Sequence, residues 1–532
     1  MTGRLGGVDG VASLGARIDH RGACRRAALR TLLPVLTGRP CPDAGAATLL
    51  RLLEEALAGA GPEQFWLALA VLDARLPDHP AVLRAVRAAR LDGPLAALHR
   101  PLVSRRWGRR AGTRWPTVEI RTHDVLVDVH HTAQSSFATG IQRVARQSAL
   151  RWTRDHDPVL VGWTPDYTAL RRLTEGEARA AVHGASPAPG EPAPGEPVPG
   201  ARADDHVVVP WRATYVLPEL AAEPERARRQ LAMAEFSGSA TAVIGFDCVP
   251  LTTAETTAYG MSGGFAWNLA AVARMDRVAA ISTSAATEYR GWRQMLPGAG
   301  LRGPDITPIP LPVEADDPSA EVLAEARELL GSGDLPMVLV VGSHEPRKNH
   351  LAVLHAAELL WRDGVRFTVT FVGGNSWNSE RFFARVAELQ ARRRPVQSLS
   401  ALPDRLLWAA YRLARCTVFP SLNEGFGLPV AESLASGTPV ITSAFGSMLE
   451  LAAGGHGAGG GALLVDPRDD HDLARALRRL LTDDELHGRL SQEAQALPVR
   501  TWDQYAHEAW QYLVDGVQPK GPDEATAAPG GT

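Results

Sequence analysis

The chain has 532 residues, 45% of them hydrophobic, and a net charge of −3. That length suits about three to four ordinary domains, and the near-neutral balance leaves no whole-chain electrostatic footprint for nucleic acid. No apolar run approaches the roughly 18 residues of a membrane span, the N-terminus has Gly, Asp and scattered Arg where a signal peptide has an apolar core, and Cys24, Cys41, Cys248 and Cys416 form no Cys-x-x-Cys pair, so the expectation is a cytoplasmic protein with buried, reduced thiols.

Up to about residue 115, the apolar spacing of "AALRTLLPVL", "TLLRLLEEALAGA", "FWLALAVLDARL" and "PAVLRAVRAARL" predicts helices separated by turn signals such as "GRPCPDAG" and "LPDHP". Residues 1 to 116 hold 18 Arg against 9 acidic residues, densest at Arg105, Arg106, Arg109, Arg110 and Arg114. Such a stretch suits an anionic membrane surface or an acidic partner, and equally a solvated linker. From Val125 the pattern becomes a buried strand "VLVDV", a polar loop "HHTAQSSFATG" and a helix opening at Ile141, followed by the strand "PVLVGW". The repeat "PAPGEPAPGEPVPG" between Gly184 and Gly200 cannot build a core and reads as a stiff, exposed insertion. Strands resume with "HVVVPW", "TAVIGFD" and "RVAAIS". Beyond a proline-spaced connector, "ITPIPLPVEADDPS", the strands "MVLVVGS", "FTVTFVGG", "CTVFPS", "TPVITS" and "GALLVDP" alternate with helices. Two such α/β blocks predict two parallel sheets covered by helices, with a cleft between them lined by strand-to-helix loops.

Only two lysines, Lys348 and Lys520, occur among 56 basic residues. Lys348 lies in a loop after an apolar strand, where a compact ammonium and a planar guanidinium are not interchangeable. A second concentration of signals is "PSLNEGFGLPVAESLASGTPVI", in which Glu424 and Glu432 bracket seven residues, Gly425 and Gly427 permit close backbone approach, and Pro429 is placed to open a helix with Glu432 in its first turn. Two carboxylates flanking a glycine loop go beyond the helix-start preference that would account for Glu432 alone.

This stretch resembles the Glu-x7-Glu signature of retaining GT-B glycosyltransferases of family 4, and "VVGSHEPRKNH" resembles the diphosphate clamp of their mannosyl- and rhamnosyltransferase-like branch. The resemblance implies an α/β GT-B fold of two facing Rossmann-like domains, here preceded by a helical module. It implies a donor sugar on Glu424, Gly425, Phe426 and Gly427 with Leu428 beside them, ribose on Glu432, and diphosphate on Gly342, Ser343, Arg347 and Lys348. "TGIQRVAR" is similar to the loop and helix start that bring a glycine, Gly140, to the donor phosphate. "GFDCVPL" and "AAISTSAATEY" place Asp247 and Ser282 on the acceptor side, although the branch usually has Tyr where Phe246 stands, and Asp247 suits a structural role equally well. Asp247, Arg347, Lys348 and Glu424 are the implied catalytic group.

The boundaries expected on this basis are a helical module at 1–117, an acceptor domain at 118–312 with its insertion at 184–204, a donor domain at 313–500, and a crossover helix with a disordered tail at 501–532. The implied reaction moves a hexose or deoxyhexose, with retention, from a nucleotide-diphosphate sugar (GDP- or dTDP-linked by analogy) to a glycan, a lipid-linked or a small-molecule acceptor. No cofactor and no metal are implied, since no Asp-x-Asp pair follows a strand and the basic clamp supplies the charge. The expected partners exclude nucleic acid and include peripheral contact with the inner membrane face near 105–114. The rival readings are an epimerase or phosphorylase on a similar fold, and a catalytically silent protein that only binds a sugar nucleotide or a glycan.

Overall fold

The apolar runs of the two blocks assemble into two sheets. In the computed structural model the described residues are 14, 23–103, 116–135, 139–184, 206–331, 333–453 and 460–519. The arginine-rich stretch Arg105 to Arg114, the insertion from 185 to 204, Lys520 and the tail beyond it lie outside the described residues.

The first sheet has nine strands: β1 (Thr117–Arg121), β2 (Val125–Asp128), β3 (Val159–Trp163), β4 (Leu170–Arg172), β5 (His206–Pro210), β6 (Thr214–Leu217), β7 (Ala240–Gly245), β8 (Arg277–Ala280) and β9 (Asp305–Pro308). They lie in the order β1-β5-β4-β3-β2-β6-β7-β8-β9. Every residue of β7 is buried, as a central strand covered on both faces requires. The sheet is mixed, which corrects the expectation of a purely parallel one: β4 runs antiparallel to β3 and β5. Only six residues separate β3 from β4, too few for the crossover that a parallel neighbour needs, so the chain reverses through a tight turn with Tyr167 at φ 52°. Besides β4, the sequence pattern does not announce β1, β6 or β9, nor β12 (Val396–Leu399) of the second sheet. β1 precedes Val125 and pairs with β5, and β9 takes up the start of the proline-spaced connector.

The second sheet is entirely parallel and comprises β10 (Met337–Val341), β11 (Thr368–Val372), β12 (Val396–Leu399), β13 (Cys416–Phe419), β14 (Val440–Ser443) and β15 (Ala462–Val465), in the order β12-β11-β10-β13-β14-β15. The alternation of side chains along β10 builds two cores: Val338 and Val340 pack with the His350–Arg362 helix, whereas Met337 and Leu339 pack with the Asp404–Leu413 helix.

Helices Ala23–Thr37, Ala46–Leu57, Pro62–Asp73 and His79–Asp92 form the N-terminal module. Their leucines, with Phe65 and Trp66, join the core of the first sheet without a break, and Leu76 N donates to Thr168 O at 2.9 Å. The thiol expectation holds only in part. Cys248 and Cys416 are buried, but Cys24 is exposed and Cys41 partly so, because both sit at the surface of this module.

The chain ends its described course by returning to the first sheet. Helix Trp502–Trp510 packs on helix Gly140–His156, Trp152 Nε1 donates to Ala506 O at 2.9 Å, and Trp510 stacks on His156 at 4.0 Å between ring centroids. Trp502 is itself buried against Tyr505, a packing role. Truncating a buried aromatic leaves a cavity and costs about 3 to 5 kcal/mol. Trp510→Ala is therefore expected to lower the midpoint of the first urea transition, followed by tryptophan fluorescence.

Candidate functional site

Strand order decides where the loops meet. In the second sheet, β11 and β12 lie on one side of β10, and β13 to β15 on the other, so the sequence reverses direction between β10 and β13. Ligands in open α/β sheets bind outside the strand C-termini at such a reversal. Two loops open there: Gly342 to Asn349 after β10, and Pro420 to Gly427 after β13.

Those loops bring together Arg347, Lys348 and Glu424. Glu424 accepts from Lys348 Nζ at 2.6 Å, from Arg347 Nη1 at 2.7 Å and from Ser421 Oγ at 2.7 Å. Burial by itself would raise this carboxyl, but the charges of Arg347 and Lys348 and the bonds from Lys348 and Ser421 hold it down to about 2. Arg347 also donates to Asn423 O and to Glu345, both at 2.7 Å. Lys348 is buried, its ammonium 4.9 Å from the centre of the Phe419 ring, and its stem lies along Gly342, the first residue after β10, with Ser343 next in the loop. The result is an ionised carboxylate fixed between two cations.

The first domain closes over this group. Gly425 has no room for a side chain: a Cβ would stand 2.4 Å from Phe246 O and 3.0 Å from the Asp247 carboxylate. Ser282 caps helix Thr283–Arg293 and donates from Oγ to Gly425 O at 2.6 Å, so its hydroxyl is already committed to joining the domains. Glu450 accepts from Thr283 N and Ser284 N at 3.0 and 3.1 Å, and Asn423 Nδ2 donates to Thr252 Oγ1 at 2.9 Å and Glu288 at 3.2 Å. Asp247, after β7, accepts from Val249 N at 3.0 Å. Burial pushes its carboxyl up to about 6, with Arg347 opposing and Glu288 and Glu424 adding to the rise.

Gly427 adopts φ 92° and precedes helix Leu428–Ala435, with Pro429 in its first turn. Phe426 is buried. Glu432, expected in that first turn, lies in the second, because the helix begins at Leu428. Its partners are therefore side chains and not the free amides of the helix end: Tyr411 O–H donates to it at 2.8 Å and Arg143 Nη1 at 2.7 Å. Gly140 opens helix Gly140–His156, which a Thr139/Gln142 capping box starts, and it faces Leu428, whose Cδ1 lies 3.6 Å from where a Cβ would be.

The first sheet has its own reversal, between β2 and β6. An open pocket of about 550 Å³ lies there, lined by His131, Gln134, Thr139, Gln142, Glu219 and Leu220 among others. Glu219 accepts from His131 N, Thr132 N and buried Arg226, and His131 Nε2 pairs with Glu223 at 2.8 Å. Against burial, Glu223 and the Glu219 charge raise the His131 imidazole above its usual range. Among the described residues no cluster of His, Cys, Asp and Glu could hold a metal ion, and no helix is long and apolar enough to cross a membrane.

Arg143, Tyr411, Ser421 and Glu288 were not anticipated. Arg143 lies within "TGIQRVAR" and Ser421 within "PSLNEG", but local spacing says nothing of a contact 289 positions away.

Residues 324–497 match the model of the family Glycosyl transferases group 1. Among solved structures, Anabaena Alr3699/HepE in complex with UDP and glucose superposes with a TM-score of 0.51 at 14% identity, covering 73% of this chain and 100% of that one. The fold is GT-B. In sequence, the Escherichia coli serotype-specific mannosyltransferase WbdA is 28% identical over 345 residues, 62% of this chain and 39% of its own length. The D-inositol 3-phosphate glycosyltransferase of Acidothermus cellulolyticus is 34% identical over 242 residues, 44% of this chain and 53% of its own length. The chain thus spans between two fifths and about half of these curated relatives.

In this GT-B cleft the raised Asp247 carboxyl makes a signed prediction. The folded protein holds its proton to about pH 6, the unfolded chain releases it near 3.8, and stability contributed by the protonated form is lost as pH rises between them. Asp247→Asn is expected to gain stability over the parent progressively from about pH 4 to 6 and by a constant amount above. Melting curves across that range check it; a gain independent of pH contradicts the assignment.

Proposed function

We propose that the protein is a retaining glycosyltransferase of the family 4 type, moving a hexose or deoxyhexose from a nucleotide-diphosphate sugar to a hydroxyl-bearing acceptor. The observation that carries this reading is the Arg347–Glu424–Lys348 group set against Asp247 where the two domains meet.

Departure of a nucleoside diphosphate leaves negative charge on the β-phosphate oxygens. Arg347 and Lys348 are held rigidly on one loop, so they stabilise that charge with little reorganisation. Glu424 stays ionised and accepts hydrogen bonds from the sugar hydroxyls, with the Gly425 to Gly427 backbone and Leu428 beside it. Glu432 takes the ribose. Gly140, Gly342 and Ser343 present backbone near the phosphates, where the N-terminus of helix Gly140–His156 favours an anion. The acceptor enters from the pocket of the first sheet, whose His131, Gln134, Thr139 and Gln142 suit a polyhydroxylated glycan, lipid-linked or natural-product acceptor. Its hydroxyl attacks the anomeric carbon on the face the diphosphate leaves. The new glycosidic bond forms as the sugar–phosphate bond breaks, and the hydroxyl proton passes to the departing phosphate oxygen. Asp247 lies at the acceptor side of this path. Ser282 acts by holding Gly425, not by touching the acceptor. The similarity to mannosyltransferase WbdA over 62% of this chain favours a mannose-like sugar, and a GDP- or dTDP-linked donor is the first to test. The chemistry needs no metal and no cofactor. Residues 118–312 serve as the acceptor domain and 313–500 as the donor domain, behind the helical module of 1–117. The protein works in the cytoplasm, with the arginine-rich stretch near 105–114 touching an anionic membrane face.

Nucleoside diphosphate release over a panel of donors and acceptors tests the reaction itself, and binding without release would favour the silent-binder reading. Lys348→Ala is expected to reduce turnover by about two to three orders of magnitude with the fold intact, as for the loss of one preorganised donor. Lys348→Arg restores only part, because a larger planar group must fit beside Arg347 over the Phe419 ring; equal turnover for the arginine variant would remove lysine's special role. Glu432→Gln is expected to weaken donor binding by about 1.5 to 3 kcal/mol in calorimetry.

A further inference from the structure

Arg143 is the first domain's contribution to the proposed donor site, where it pairs with the proposed ribose acid. Its Nη1 lies 2.7 Å from Glu432 Oε1, and Tyr411 holds the other oxygen at 2.8 Å. Each oxygen of the proposed ribose acid therefore has a side-chain donor. The Glu432 side chain is 7% exposed and that of Arg143 is 35% exposed, so the arginine is the mobile member and the acid the fixed one. Arg143 stands one turn into helix Gly140–His156, whose first residue touches Leu428 at the start of the facing helix. Other carboxylates near the cleft are already spoken for: Glu424 by Lys348 and Arg347, Glu345 by Arg347, Glu450 by the amides of Thr283 and Ser284. A ribose diol that donates to both oxygens of Glu432 competes there with the Arg143 guanidinium. Arg143 stays near the start of helix Gly140–His156, the end that favours an anion and that the proposed function sets beside the diphosphate.

We infer that Arg143 exchanges partners on donor binding, from Glu432 to the diphosphate, so that a cation from the first domain completes the clamp of Arg347 and Lys348. This rests on the proposed ribose role of Glu432. The exchange makes Arg143 a positioning residue that couples domain closure to the phosphate part of the donor: a ligand with ribose but no phosphate breaks the ion pair and gets nothing in return, whereas a nucleoside diphosphate replaces it. It also disfavours a nucleoside without its phosphates, a specificity that Glu432 cannot provide.

The test compares two probes, the nucleoside and the nucleoside diphosphate of whichever base supports turnover, titrated calorimetrically into the parent, Arg143→Ala and Arg143→Lys. Removing the competitor is expected to leave nucleoside affinity equal or higher, while diphosphate affinity falls about ten- to a hundredfold, as for loss of one charge-assisted contact. Arg143→Lys recovers part of the diphosphate affinity. Arg154→Ala, on the same helix but paired with Asp503, is expected to change neither. If Arg143→Ala weakens both probes by the same factor, the arginine is only an interdomain latch and the exchange is overturned. If diphosphate affinity is unchanged, the arginine never reaches the phosphates, and the exchange is likewise overturned. These outcomes are separate from the fate of the proposed reaction, since turnover by the parent and donor binding by Glu432→Gln are measured independently.

Discussion

A largely buried carboxylate must be compensated, and Glu424 sets the terms for the rest of the cleft. Removing either cation would leave charge uncompensated in a poorly solvated place. Arg347 and Lys348 can meet Glu424 only because β10 and β13 are neighbours although 76 positions separate the paired residues. The parallel sheet thus works as a jig that brings two strand-end loops to one point. The same pairing gives the solitary internal lysine its setting: its ammonium stands between Glu424 and the Phe419 ring, with Arg347 on the other oxygen of Glu424.

From that point the contacts reach across the cleft. The backbone of Gly425 lies directly under Phe246 and Asp247, Ser282 and Glu450 tie the facing loops by hydrogen bonds to backbone, and the Asn423 amide donates to Thr252 and Glu288. Most of these bonds come from groups at strand ends or helix starts, where orphan amides and carbonyls need partners. These bonds make one part of the domain joint polar. Apolar packing accompanies them: Phe426 and Ala431 join the core of the first sheet, with Leu428 and Leu451 against it, and Trp152, Trp510 and His156 hold the C-terminal helix on the first domain.

Much of this arrangement was legible along the chain. The alternation of Val-rich runs with amphipathic helices named two α/β blocks, and the Thr139/Gln142 capping box explains why one helix starts where it does. Short or polar strands escaped notice. β1 and β4 contain Glu119, Arg121, Arg171 and Arg172, whose charges pair with one another, with Glu177 or with a neighbouring strand, and such strands lack the alternation that announces a buried face. β9 was hidden by Pro308 at its end and the prolines after it; Pro308 is tolerated because β9 is the last strand at the edge of its sheet.

By itself the sequence determined the local elements, the two acids seven residues apart, the clamp pair Arg347 and Lys348, and the glycines on which close approach depends. These are properties of near neighbours, governed by periodicity, capping and backbone freedom. Only the tertiary structure decided that Lys348 reaches Glu424 and not Glu432, that the second acid belongs to Arg143 and Tyr411, that Ser282 is spent on Gly425, and that one strand of nine runs backwards. Strand order and domain closure are set by the burial of whole faces and by hydrogen bonds between residues far apart in the chain, and no local pattern carries that information.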